Sequence, residues 1–195
     1  MKVKLLACQS LWREAYLAAS RAPHYIDIRL ISPEELVKGG LQRAVDEVDQ
    51  ARQDYDAVLL ACGLCGGAHE GLVSSRHLLV MPRVHDCMAL LLGSRERYRR
   101  VFLRHDGELR FVSRGLLETG GCPALGGVKG GTQCCVVSPI PGLNHPCPDA
   151  DEELAGDFAL LEALVSGQWP EEDFVLLSPG SSLTASYTRQ MACAR

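Results

Sequence analysis

The sequence predicts a layered α/β fold with a mostly parallel sheet, and three observations predict it. Short apolar runs at 3–7, 26–31, 55–61 and 78–81 alternate with longer amphipathic segments. The run Leu5-Leu6-Ala7-Cys8 recurs as Leu59-Leu60-Ala61-Cys62, with Leu176-Leu177-Ser178 as a fainter third copy. That echo suggests repeated strand–loop–helix units arranged around a common site. Finally, Cys8, Cys62, Cys65, His85 and Cys87 all lie just past the ends of these runs, and none of the five lies at a strand start. Strand carboxyl ends are where open α/β sheets bind ligands. A length of 195 residues suits a single domain over 1–195, and an apolar content of 47% suffices for its core.

The run at 3–7 reads as a buried strand. Helical spacing over 11–21 puts Leu11, Ala15, Ala18 and Ala19 on one face. A second strand over 26–31 stops at Ser32-Pro33-Glu34-Glu35, a capping box with proline at the first helical position. The helix behind it is expected to reach about residue 53. Leu36, Val37, Leu41, Val45 and Val48 would face the core, with Gly39-Gly40 weakening its first half. A third strand at 55–61 runs into a loop made permissive by Gly63, Gly66 and Gly67. A fourth strand at 78–81 ends near Pro82. Asp86 then caps a helix expected over 87–102, with Met88, Leu91, Leu92 and Val101 buried. A hairpin strand is expected at 109–113 after the Asp106-Gly107 turn.

At about 115–148 the character changes. This insert holds eight glycines, five prolines and four cysteines around one apolar stretch, 134–140, read as a strand between loops. A helix follows over 149–165, with an Asp149…Glu152 box at its start and Gly167 past its end. The last strand is expected at 174–177.

Nine cysteines, an odd number, rule out a full set of internal disulfides. No apolar window is long enough for a membrane span. Only Leu5–Ala7 precede Cys8, too short an apolar region for a signal peptide, so a cytoplasmic protein is expected. In that compartment thiols are metal-bound, reactive or simply buried. A net charge of −4 with interspersed signs gives no support for a nucleic-acid partner, and the basic run 95–100 reads as a solvated helix face. No Walker loop, dinucleotide fingerprint or nucleophile elbow is present.

Chemistry therefore centres on the strand-end thiols. Cys62-x-x-Cys65 has the spacing of half a zinc site, an iron–sulfur half-motif or a redox dithiol. A second such pair, which a zinc ribbon needs, is missing. With Cys8 and Cys87, these cysteines make a candidate metal set of Cys8, Cys62, Cys65 and Cys87. Three thiolates suit an iron–sulfur cluster with one open iron, or a catalytic zinc with an open position for a small-molecule ligand. His85 and Asp86, beside Cys87, are candidate proton-transfer residues, with helix capping by Asp86 as the plainer alternative. Gly63 and Gly66 allow close backbone approach to a cofactor, and Arg83 is a candidate anion holder. His69-Glu70 is a weaker candidate pair. Cys122, Cys134, Cys135 and Cys147 would form a second site, complete the first, or be inert strand and loop residues; Cys193 reads as incidental.

Ala7-Cys8 with Leu11-Trp12-Arg13-Glu14, then Gly63-Leu64-Cys65-Gly66, then Pro82-Arg83-Val84-His85-Asp86-Cys87, and the run from Leu90 through Gly93-Ser94-Arg95-Glu96-Arg97-Tyr98 form a recognisable set. Together these stretches resemble the family known as domain of unknown function 1638. The C-terminal Asp173-Phe174 strand leading into Pro179-Gly180 also fits the family. The resemblance covers most of 1–105 and returns at about 150–187; the middle is shorter and richer in cysteine than the family pattern. It implies that Cys8, Cys65 and Cys87 are the shared thiols and that Cys62 is an addition. It also implies an anaerobic setting beside corrinoid-dependent methyltransferases. One cysteine from each of three α/β units is similar in layout to quinolinate synthase, an analogy of placement alone.

The expected function is a metal-binding protein of anaerobic one-carbon, corrinoid-linked metabolism. It would carry an iron–sulfur cluster, of the 4Fe-4S type, at strand C-terminal ends. Cys62, His85 or an open position would supply the fourth ligand. The alternatives are a zinc-thiolate methyl-transfer protein and a non-enzymatic module that binds a corrinoid protein or methyltransferase partner.

Overall fold

The computed structural model describes residues 1–64, 67–104, 109–112, 115, 118–119, 132–135 and 157–183, with the backbone alone for 109–112 and 132–135. Expectations for Cys65, Gly66, Cys122, Cys147, Cys193 and the Asp149…Glu152 box fall outside these residues, as do those for the side chains of Cys134 and Cys135.

The chain forms an α/β sheet of five strands. β1 (Lys2–Cys8) passes through a 3-10 turn (Gln9–Leu11) into α1 (Trp12–Arg21) and then β2 (Tyr25–Ile31). Next come α2 (Pro33–Val37), α3 (Gly40–Gln50) and β3 (Ala57–Ala61). After a long connection follow β4 (Leu78–Pro82), α4 (Cys87–Leu91) and α5 (Arg95–Arg104). β5 (Leu109–Val112) and β6 (Thr132–Cys135) form a separate parallel pair, not the hairpin expected at 109–113. α6 (Ala159–Ser166) and β7 (Phe174–Leu177) complete the fold.

The strand order is β2-β1-β3-β4-β7. β1 is parallel to both β2 and β3, and β3 to β4. β7 alone is antiparallel, along β4. The central strands are the unbroken apolar runs of the sequence. Every residue of β3 is buried, as are Leu5, Leu6, Ala7 and Cys8 of β1, because helices cover both faces of a parallel sheet. Each leucine taken fully out of water there contributes about 1.5–3 kcal/mol. α1 packs on α6, α6 reaches β3 and β4, and α3 rests on β1. The chain leaves β1 toward one sheet edge and returns to β3 on the other side. With right-handed crossovers, that reversal places α1 and α3 on opposite faces and opens a crevice between the carboxyl ends of β1 and β3.

Two expected helices are broken, each by a glycine. The capping box forms as read: Ser32 Oγ accepts from Glu35 N–H (3.2 Å), and Glu35 Oε2 accepts from Ser32 N–H (2.9 Å). The helix nevertheless stops at Val37, because Gly39 turns left-handed with φ +73°. Gly40 restarts it so close to the previous turn that a Cβ would lie 2.5 Å from the Glu35 carbonyl oxygen. Val37, expected in the core, is consequently 45% exposed. Similarly, Gly93 (φ +68°) separates α4 from α5, and Asp157 fills the space its side chain would need. Nor does the third copy of the strand motif join the others. β7 runs antiparallel, so Leu177-Ser178 emerge at the opposite end of the sheet from Cys8 and Cys62. Among the described residues no helix is long and apolar enough to cross a membrane.

Candidate thiolate centre

β1, β3 and β4 end at the same edge of the sheet. Cys8 closes β1 and Cys62 directly follows β3, one step beyond the register pair Ala7↔Ala61. Neighbouring strands lie about 4.8 Å apart, so the two cysteines flank the crevice on adjacent strands. Cys87 opens α4, which packs on the 3-10 turn that follows Cys8. All three thiols are buried, at 4%, 2% and 6% exposure. Cys8 Sγ lies 3.0 Å from Ser10 Oγ, and Cys62 Sγ lies 3.5 Å from His69 Nε2.

The loops that carry the thiols are pressed together. A Cβ on Gly63 would lie 2.2 Å from Asp86 Cα and 2.3 Å from its carbonyl carbon. The loop after β3 thus touches the backbone just before Cys87, and only glycine permits that approach. On the other side, a Cβ on Gly115 would lie 2.0 Å from the Ser10 carbonyl oxygen. Arg13 and Glu118 form an ion pair, with Nη2 to Oε1 at 2.9 Å, so the start of the glycine-rich insert is also tied to the first turn of α1.

Asp86 does the capping that its position suggests. Its Oδ1 accepts from Met88 N–H (2.9 Å) and Ala89 N–H (3.1 Å). Its Oδ2 accepts from Tyr98 O–H (2.7 Å) and faces His85 Nδ1 at 3.3 Å. A buried carboxylate with each oxygen shared between two donors holds its neighbours in place. For that contact to be a hydrogen bond to a carboxylate, the His85 Nδ1 must be the donor, which leaves Nε2 for another partner. The His85 ring is about one-third exposed and stacks on Tyr98 at 6.1 Å, which stacks in turn on Phe102. Replacing Asp86 by alanine removes the cap of α4 and the acceptor for Tyr98. Urea denaturation is expected to show a loss of about 2–3 kcal/mol, with Tyr98→Phe losing about 1.5 kcal/mol. Wild-type stability in Asp86→Ala would contradict this assignment.

Arg83 also makes structural bonds on the other flank. Its Nε donates to the carbonyls of Glu171 (2.7 Å) and Phe174 (3.1 Å), and its backbone N–H donates to that of Asp173 (2.7 Å). These bonds fasten the end of β4 to the start of β7. Of the predicted site residues, the structure brings Gly63 against Asp86, just before Cys87, and keeps Cys8 and Cys62 on neighbouring strands. The Arg83 Nε and backbone N–H bonds face the β7 edge.

Two contributors were not read as site residues from the sequence, Ser10 and Tyr98, and a third, the fully buried His69, was read only as a weaker candidate. His69 lies seven residues past Cys62, and the turns that fold it back have no periodic signature. Another polar cluster lies at the opposite end of the sheet. Asp49, at the end of α3, accepts from Ser74 Oγ (2.9 Å), Ser75 N–H (2.6 Å), Ser75 Oγ (2.9 Å) and His77 Nδ1 (2.7 Å). Burial disfavours the ionised carboxylate, but the His77, Ser75 and Ser74 hydrogen bonds outweigh it and hold the Asp49 carboxyl below its usual range.

Among the described residues no three histidine, cysteine, aspartate or glutamate side chains converge on a position for a single metal ion. Cys65, the remaining member of the predicted set, lies outside those residues. Searches of curated proteins and of solved structures return no match. A family model described as "Protein of unknown function (DUF1638)" matches residues 32–134, more than half of the chain and inclusive of the Gly63, Asp86 and Tyr98 contacts. The chain belongs to this family.

Proposed function

We propose that the chain is a metal-binding protein whose cysteines at the strand ends hold an iron–sulfur cluster, and that it works in anaerobic, corrinoid-linked one-carbon metabolism. One observation carries the metal reading. Three buried thiols, Cys8, Cys62 and Cys87, are delivered by separate strand-end loops to the two sides of a topological switch point. A multi-iron cluster spreads its thiolates over several metal atoms, so cysteines on separate loops suit it better than they suit a single ion. Cys65 is the fourth thiolate, or one iron stays open to a small-molecule substrate. Such a cluster, when bound, supplies one-electron transfer or a Lewis-acidic iron. The chain's own residues bury the sulfurs from water, and His85 handles protons at Nε2 beside Cys87.

A zinc-thiolate centre for methyl transfer is the second reading, and the Cys62–His69 pair favours it, because thiolate and imidazole together are donors zinc takes. Anaerobic purification of the full chain with iron, sulfide and zinc counted decides between them. About four irons and four sulfides per chain, with a visible absorption lost in Cys87→Ser, are expected for a 4Fe-4S cluster. One zinc on colourless protein supports the second reading. Metal-free protein from anaerobic cells overturns both and leaves a non-enzymatic module, whose binding to a corrinoid protein would survive Cys87→Ser.

A further inference from the structure

We propose that His69 is a positioning residue of the thiolate centre, donating its Nε2–H to the sulfur of Cys62 and so setting the centre's reduction potential. The inference rests on the metal reading above and adds a residue to it. The Cys62 Sγ to His69 Nε2 distance of 3.5 Å is that of an N–H···S hydrogen bond, longer than one to oxygen because sulfur is larger. A metal-bound thiolate has no proton and only accepts. The nitrogen facing it must then carry the hydrogen. Both partners are buried, His69 at 0% and Cys62 at 2%, so the bond acts in a low dielectric with little competition from water.

The backbone around His69 is built to hold the ring still. Gly67, at φ +70°, allows a run of turns in which Gly67 N–H donates to the Leu64 carbonyl and Glu70 N–H donates to the Gly67 carbonyl. Leu72 N–H then donates to the carbonyl of His69 itself, at 3.2 Å. Just beyond, Gly71 N–H bonds the Leu183 carbonyl and Leu183 N–H bonds the Leu72 carbonyl, clamping the loop to the segment after β7. The imidazole therefore meets Cys62 without any ordering cost when the centre fills. Hydrogen bonds to ligand sulfur stabilise the reduced, more negative state and raise the potential.

The test is a comparison of His69→Leu, which removes the donor, with His69→Gln, which keeps an N–H. In anaerobically loaded protein, His69→Leu is expected to keep its iron and shift the midpoint potential downward, and His69→Gln to recover part of that shift. An unchanged potential in His69→Leu overturns the proposal. So does loss of iron from both variants, which would make His69 a ligand. Nitrogen-15 NMR of the wild-type chain loaded with Zn2+ alone gives an answer that no variant's folding can obscure. The proton is expected on Nε2; a proton on Nδ1 only overturns the proposal. A wild-type chain that takes up neither iron nor zinc defeats the metal reading itself, and this inference with it.

Discussion

Gly63→Ala is expected to destabilise the protein by about 3 kcal/mol or more. The added methyl would meet Asp86 Cα at 2.2 Å, its carbonyl carbon at 2.3 Å and its nitrogen at 2.8 Å. These are backbone atoms, so no rotamer change relieves the clash. One loop has to move, and both are anchored. The loop after β3 leaves a strand buried along its whole length, and Asp86 is fixed by hydrogen bonds from α4 and α5. Any displacement also carries Cys87, the next residue. At about 2–4 °C per kcal/mol for a chain of this size, thermal unfolding should fall by about 6–12 °C. Gly71→Ala is the control. Gly71 has φ +72° but no atom within 4 Å of the added carbon, so only the backbone preference is lost, about 1 kcal/mol. Equal melting of Gly63→Ala and wild type would refute the close packing of the two thiol-bearing loops.

The contrast between these glycines shows which parts of the fold are legible in the sequence. Val3–Ala7 and Ala57–Ala61 are apolar without interruption, so their burial in the centre of a parallel sheet follows from composition alone. The strand-end placement of Cys8 and Cys62 follows from the same runs. Asp86 before Cys87 announced the start of α4, because an N-cap is a local hydrogen-bonding device. What depends on tertiary contact is not visible in this way. Gly39 and Gly93 look like weak points within continuous helices, and only Glu35 beside Gly40 and Asp157 beside Gly93 make the breaks necessary. The apolar pattern of Phe174–Leu177 marks a strand but not its direction, and it pairs antiparallel along the edge of β4. Arg83 before a site-like loop invites an anion, yet the carbonyls that occupy its Nε lie in a segment 88 or more residues away. The Ser10, Tyr98 and His69 contacts likewise depend on turns and crossings that carry no periodic signal.

Asp49→Ala should produce the other large effect, a loss of about 4 kcal/mol, although Asp49 lies at the far end of the sheet from the thiols. Its carboxylate is the common acceptor for Ser74, Ser75 and His77, and the His77 side chain is only 4% exposed. Removing it strands several donors in a space too buried for water to replace the carboxylate freely, each costing about 1–3 kcal/mol before relaxation. The cluster is also the hinge pin of the connection from β3 to β4. Arg76 adds bonds from Nη1 to the carbonyls of Asp49 (2.7 Å) and Ala51 (2.8 Å), so residues 74–77 are fastened to the end of α3 just before β4 begins. The same connection carries His69 earlier in its course, beside Cys62. A drop of about 8–16 °C in thermal midpoint is expected for Asp49→Ala. The acid side of the stability profile checks the assignment independently. The Asp49 carboxyl is held below its usual range by its hydrogen bonds, against the opposing effect of burial. Its contribution is therefore complete above about pH 3.9, the ordinary aspartate value, and is lost as pH falls through the lower folded value. The stability difference between wild type and Asp49→Ala should be constant from neutral pH down to about that point and then shrink. A difference that instead grew on acidification would show that Asp49 is protonated in the folded chain and that the cluster is held by something else.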